Sequence, residues 1–230
     1  MVKKTIEYAN LRNSDNLMQK EIFRQLEDWI EQHKDKLDPY FYNQYKKCDT
    51  MARVWEIAFL QHLYSRGFKL AKPSKFDFSV EHKDIKIIIE ATAPSLNFQD
   101  RAENQANKLL NSIKDKIKDA EKYKIGNPFV VAISCIKANV FPLPDSFKDK
   151  CFLLKEISKL FTRSPKLSGV IISFEWPYLF PEIWSKYMLK IHGENDFLLI
   201  KNIDAENKIP GGIKFGCKTV LEASEKYFIV

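Results

Sequence analysis

Two apolar runs separated by a long amphipathic segment are the feature that most constrains the fold of this chain. Residues 85–89 and 129–133 are almost entirely apolar, and residues 100–123 carry apolar side chains at helical spacing. A strand, a long helix and a second strand form a crossover unit, which joins parallel strands through a right-handed connection. Because neither run alternates apolar and polar residues, we expect both faces of these strands to be covered.

Weaker patterns predict the remaining elements around this unit. We expect helices at 16–34, 49–66 and 153–161, strands at 68–71, 76–80 and 168–174, a polar hairpin loop at 81–84, and a terminal hairpin that pairs 185–191 with 197–200. No internal repeat and no low-complexity linker divides the 230 residues, so we expect a single α/β domain.

The composition favours an anionic partner and a reducing compartment. The formal net charge is +7 at pH 7, which suits nucleic acid, although a lysine-rich composition can also reflect genomic bias alone. The widely spaced cysteines favour buried thiols over a disulfide framework or a zinc site. The sequence shows no signal-peptide core and no run of membrane-spanning length. We therefore expect a cytoplasmic protein without membrane contact, and a specialised secretion route stays open.

Three acidic residues lie at informative places among these elements. Glu56 is in the middle of a predicted helix, Asp77 is at the start of a predicted strand, and Glu90 directly follows the apolar run 85–89. A carboxylate in the position of Glu90 lies beside the low-dielectric core and needs a partner. Carboxylates that meet at one point repel each other unless a proton or a cation lies between them. The alternative is that these acids are solvated surface groups, and a solvent-facing position is the default for Glu56.

The order of these elements and acids resembles the PD-(D/E)xK nuclease superfamily. The resemblance covers roughly residues 50–135 and rests on Glu56, on the Lys-Phe-Asp-Phe segment around Asp77 and on the Ile-Glu-Ala-Thr segment at Glu90. The proline that usually adjoins the first acid of the motif is absent. The resemblance implies a restriction-endonuclease-like mixed β-sheet core flanked by helices.

That fold implies a division of the single domain, residues 1–230, into three parts. The nuclease-like core would span 49–135, with an N-terminal helical extension at 1–48. Residues 136–230 would form a C-terminal α/β elaboration of the same sheet.

The resemblance also implies a metal site and a reaction. Asp77, Glu90 and the carbonyl of Ala91 would bind Mg²⁺, or Mn²⁺ in its place, and Glu56 would complete the shell or support a second metal. Such a site would activate water for hydrolysis of a phosphodiester, with DNA as the expected substrate. Many enzymes of this fold cut duplexes as homodimers, and a homodimer is compatible with this chain.

One residue departs from the pattern of the superfamily. The motif places a lysine two residues after its second acid, and this chain has Thr92 there. Some members of the superfamily carry that lysine on the next helix, which makes Lys116 the candidate and Lys108 the second choice. Arg101, just before the same helix, could contact a phosphate of the nucleic acid. Each of these residues has an alternative interpretation as an ordinary solvated surface charge.

The sequence leaves two functions open. The first is a metal-dependent nuclease that uses the residues named above. The second is a catalytically silent member of the same fold that binds nucleic acid or protein through its basic helix and the aromatic loop around Trp176. No phosphate-binding glycine loop, HExxH zinc motif or GxSxG nucleophile motif points to another chemistry.

Overall fold

The computed structural model describes most of the chain between residues 12 and 229. The described residues are 12–13, 15, 17–47, 50–71, 76–82, 84–94, 101–122, 126–135, 152–173, 197–217, 219–223 and 228–229. Their helices are α1 (Leu17–His33), α2 (Phe41–Lys47), α3 (Thr50–Ser65), α4 (Ala102–Glu121) and α5 (Phe152–Arg163), with a 3₁₀ turn at Lys34–Lys36. Their strands are β1 (Lys69–Ala71), β2 (Phe78–His82), β3 (Ile85–Thr92), β4 (Phe129–Ser134), β5 (Leu167–Ser173), β6 (Phe197–Asn202), β7 (Thr219–Ala223) and β8 (Phe228–Ile229).

The eight described strands form one mixed sheet in which spatial order follows chain order. Strands β1, β2 and β3 are an antiparallel meander, and β3, β4 and β5 run parallel. Strand β6 is antiparallel to β5 and parallel to β7, and β8 closes the order antiparallel to β7. The predicted crossover is confirmed, because α4 connects the parallel strands β3 and β4.

Helices cover both faces of this sheet. On one side, which we call the α3 face, α1, α2 and α3 share a core with Ile87, Ile89 and the segment 209–217. On the other side, the α4 face, α4 and α5 share a second core with Ile88. Consecutive residues of β3 thus point to opposite cores, which explains why its sequence is apolar without alternation. The α/β class expected from the sequence is confirmed.

The expected strand 76–80 is shifted in the structure. Strand β2 begins after Asp77, and Glu81 pairs with Lys86 as part of the strand. The prediction of a four-residue polar loop at 81–84 is therefore wrong, and the turn is tighter. Asp84 has a φ of 65°, a left-handed conformation that Asp tolerates better than most residues and that tight hairpins require.

The C-terminal half of the chain is described in part. Residues 197–200 form a strand as expected, with β5 and β7 as its two neighbours. The expected hairpin partner, 185–191, and the loop around Trp176 lie outside the described residues. No helix in the described part of the chain has the length and apolar character that crossing a membrane requires.

Candidate active site

The register of the β2–β3 hairpin brings Asp77 and Glu90 together. Phe78 pairs with Ile89 in the antiparallel ladder, so Asp77 and Glu90 are the next opposing pair beyond it. Side chains of directly opposed residues are neighbours, and like charges in that arrangement repel. Glu90 lies two residues after Ile88 along the strand, so its side chain points to the α4 face.

The backbone of Ala91 anchors Asp77 at the end of the hairpin. The N–H of Ala91 donates to Oδ2 of Asp77 at 2.8 Å. The N–H of Ile88 donates to the carbonyl of Pro128 on the side of β4, and three residues later the N–H of Ala91 faces the opposite edge of the strand. Because the N–H and the carbonyl of one residue face the same neighbour, the carbonyl of Ala91 is directed to the edge where Asp77 lies.

Lys116 of α4 contacts both members of this acidic pair. Its Nζ donates to Oε2 of Glu90 at 2.6 Å and to Oδ2 of Asp77 at 2.9 Å. Helix periodicity explains the reach, because the buried residues Ile113 and Ala120 lie three residues before and four residues after Lys116 on the packed side of the helix. The Lys116 side chain is 25% exposed, so it is not the solvated surface charge of the alternative interpretation.

Burial and charge together set the protonation of this group. Burial of Glu90, followed by the charge of Asp77, raises the pKa of Glu90 to about 8, although Lys116 acts in the opposite direction. Burial alone would lower the pKa of Lys116, but the carboxylates of Asp77 and Glu90 outweigh it and raise that pKa above its ordinary value. Lys116 is therefore a permanent cation at neutral pH, and it compensates the acids around it.

Glu56 approaches the same point from the α3 face of the sheet. The residue is only 5% exposed, so the default expectation of a solvent-facing side chain is wrong. Burial and then the charge of Asp77 raise the pKa of Glu56 to about 8, while Arg53 and Lys116 act to lower it. The charges of Asp77, Arg53 and Lys116 thus all act on Glu56 at this end of the hairpin.

Arg53 is a residue of this site that the sequence analysis missed. Its Nη1 lies 2.5 Å from Oε2 of Glu56, one helical turn away on α3. The signal was present in the sequence, since opposite charges three residues apart on a helix are neighbours. This charge pair indicates a site residue only once Glu56 is known to be buried.

The two other basic candidates, Lys108 and Arg101, lie away from Lys116 toward the start of α4. Lys108 precedes Lys116 by two turns, about 12 Å along the helix, and is exposed. Arg101 lies immediately before α4 and is also exposed. Thr92 is half-buried at the end of β3, paired with Ile133 of β4.

The carboxylates offer part of a metal site. In the described part of the chain, no group of three or more His, Cys, Asp and Glu side chains is placed to hold a metal ion. The geometry accounts for this, because Lys116 lies between Asp77 and Glu90 and Arg53 binds Glu56. Two carboxylates that already share one cation, beside a backbone carbonyl, nevertheless fit the preference of a hard divalent cation for oxygen ligands.

Comparison with known proteins adds no assignment to this geometry. No protein-family model, no curated protein and no solved structure matches the chain.

Proposed function

We propose that this protein is a metal-dependent phosphodiester hydrolase, a nuclease with DNA as its substrate, on a restriction-endonuclease-like fold. The observation that carries the proposal is the bridge from Lys116 to both Asp77 and Glu90. A lysine that contacts two carboxylates at the end of a β-hairpin is the constellation that the PD-(D/E)xK resemblance implies.

The arrangement of elements supports the same proposal. The core runs as helix α3, the antiparallel meander β1–β2–β3, crossover helix α4 and parallel strand β4. This is the order on which the resemblance rests. Both acids of the motif lie at one end of that meander, where a phosphate backbone could approach the edge of the sheet.

Lys116 could replace the lysine that the superfamily motif places where this chain has Thr92. The side chain at position 92 shares a strand face with Glu90 because the two are separated by two residues. A lysine at that position would project toward α4. Lys116 projects from α4 toward the same carboxylate, so its ammonium group would occupy the place that a strand lysine would reach.

Each residue then has a role in hydrolysis. Asp77, Glu90 and the Ala91 carbonyl would hold Mg²⁺ or Mn²⁺, which supplies the Lewis acidity for water activation and for charge on the phosphoryl group. Lys116 would donate a hydrogen bond that orients the attacking water toward phosphorus. Glu56, which is close enough to Asp77 to feel its charge, would complete the metal shell or support a second metal ion when its carboxyl group is ionised.

The second candidate function is a catalytically silent binding protein of the same fold. The observation that favours it is again the Lys116 bridge, because an internal ammonium group that contacts both acidic side chains gives the site a stable state without metal. The two candidates differ in whether a divalent cation displaces this contact.

Calorimetric titration with Mn²⁺ and Mg²⁺ separates the two candidates. We expect the wild-type chain to bind and the double variant Asp77→Ala with Glu90→Ala not to bind. Lys116→Met should bind Mn²⁺ about tenfold more tightly, because it lacks the competing ammonium group. It should also lose cleavage by at least about 100-fold, because the water is no longer oriented.

The matched control is Lys114→Met, which removes an exposed lysine from the same helix and should leave both properties unchanged. Cleavage is measured on single-stranded DNA, duplex DNA and RNA. Absence of metal binding to the wild-type chain would contradict the hydrolase and favour the silent binding protein.

A further inference from the structure

Arg53 is a largely buried cation that the proposed chemistry does not use. Its side chain is 17% exposed, and that of its ion-pair partner Glu56 is 7% exposed. The guanidinium carbon lies 5.7 Å from the centre of the Phe41 ring, so an aromatic surface lies beside the charged group. Arg53 thus has a partner on its own helix, α3, and an aromatic neighbour on α2.

Arg53 carries more N–H donors than the described residues around it accept. A guanidinium group carries five N–H donors. Within the ranges that the structure describes, Oε2 of Glu56 is the one acceptor it meets, and its Nε is buried without a hydrogen-bond partner. The buried Nε is out of reach of an outside group, but the side chain is 17% exposed, so its amino N–H groups are the donors available to an acceptor from outside.

The position of Arg53 puts it at the candidate active site. Its partner Glu56 is close enough to Asp77 for the charge of Asp77 to raise the pKa of Glu56. Lys116 approaches Asp77 from α4, and Arg53 approaches the same cluster from α3 on the opposite face of the sheet. Of these two cations, Lys116 donates hydrogen bonds to Asp77 and Glu90, and Arg53 pairs with Glu56.

We infer that Arg53 binds a phosphate group of the nucleic-acid substrate. The planar donor fork of a guanidinium group matches the oxygens of a phosphate better than a point charge does. Glu56 accepts a hydrogen bond from Nη1 and orients the guanidinium group, which leaves its other amino N–H donors for phosphate oxygens. The inference rests on the proposed function for the identity of the substrate, and it adds a binding residue that the resemblance does not imply.

The competing explanation is that Arg53 only holds Glu56 in place. A phosphate-binding residue and a purely structural partner respond differently when Glu56 is also changed. Arg53→Met leaves Glu56 without its partner and can lower stability for that reason alone. The double variant Arg53→Met with Glu56→Gln removes the orphaned acid, so it should recover stability without recovering a phosphate contact.

The test measures affinity for short fluorescent oligonucleotides by anisotropy, in EDTA so that no cleavage occurs. Single-stranded and duplex DNA are both used, with the full-length chain. We expect Arg53→Met to bind at least about tenfold more weakly, and Arg53→Lys, which keeps the charge and loses the fork, to be intermediate. The double variant should remain as weak as Arg53→Met, and thermal unfolding reports which variants are folded.

The control is Arg163→Met, which removes an exposed arginine from the last turn of α5 and should bind like the wild type. The inference is overturned if Arg53→Met binds as tightly as the wild type, if the double variant regains affinity, or if the wild type binds no oligonucleotide. If calorimetry shows no metal binding while Arg53-dependent affinity persists, the hydrolase fails and the phosphate contact stands.

Discussion

At the scale of single residues, the buried carboxyl group of Glu56 makes stability depend on pH. Burial and the charge of Asp77 raise its pKa from 4.5 to about 8, so the folded protein keeps a proton that the unfolded chain releases near pH 4.5. Between these values the folded state binds more protons than the unfolded state. The contribution of Glu56 to the free energy of unfolding is therefore complete below about pH 4.5 and falls as pH rises toward 8.

We expect Glu56→Gln to lose this part of the pH dependence. The slope that Glu56 contributes approaches about 1.4 kcal/mol per pH unit, so the variant should gain stability relative to wild type as pH rises toward 8, and the difference should level off above about pH 8. Urea unfolding in EDTA between pH 5 and 9 measures the effect. The control, Glu103→Gln, changes an exposed residue of α4 and should follow the wild-type curve. Parallel curves for wild type and Glu56→Gln would show that Glu56 is ionised throughout.

At the scale of elements, the centre of the sheet depends on one close approach between strands. A Cβ atom at Gly169 in β5 would lie 2.8 Å from the carbonyl oxygen of Ile200 in β6 and 2.8 Å from Cδ1 of Ile209. The first of these neighbours is backbone in a paired strand, which cannot move aside cheaply. Gly169 therefore sets the spacing at which β5 and β6 can pair.

We expect Gly169→Ala to lower the free energy of unfolding by about 1–3 kcal/mol, the usual cost of overpacking a well-filled core. Urea unfolding provides the measurement. The matched control is Gly126→Ala, where an added Cβ meets no atom within 4 Å and stability should change little. Equal stability of the two variants would mean that the strands separate easily at this point.

At the scale of the whole molecule, the net charge of +7 predicts how binding to nucleic acid responds to salt. Each phosphate that the protein neutralises releases condensed counterions. If three phosphates are neutralised, affinity should fall roughly 40-fold between 50 and 200 mM salt. Anisotropy titrations at several salt concentrations measure the slope. The double variant Asp77→Ala with Glu90→Ala should keep the same salt dependence, because carboxylates do not contact phosphates directly. Affinity of the wild-type chain that does not change with salt would argue against a nucleic-acid partner.

Much of the scaffold could be predicted from the sequence, because its signals are local. The apolar runs at 85–89 and 129–133 and the helical spacing at 100–123 correspond to β3, β4 and α4. Burial on both faces followed from the absence of alternation, and Glu90 stood out because it ends such a run. The predicted loop at 81–84 is wrong, since polar residues at a strand end resemble loop residues when the pairing partner is unknown.

The site was less predictable because its contacts join residues far apart in the chain. Helix periodicity identifies the packed side of α4, but Lys116 and Lys108 are both plausible until the register of that helix against β3 is known. Glu56 shows the same limit, because a single acid within an apolar helix is expected to face solvent unless the element that packs against that helix is known. Arg53 became a candidate site residue only once its neighbour Glu56 was known to be buried.

The sequence by itself therefore determined the α/β class, the parallel crossover and the acid at the end of the buried strand. These features depend on patterns within a few residues, where backbone geometry links spacing directly to structure. Only the tertiary structure decided that Glu56 is buried and that Lys116 and Arg53 approach the carboxylates from opposite faces of the sheet. The physical reason is that such contacts depend on how whole elements pack, and packing is set by the shapes and charges of surfaces that lie far apart in the chain.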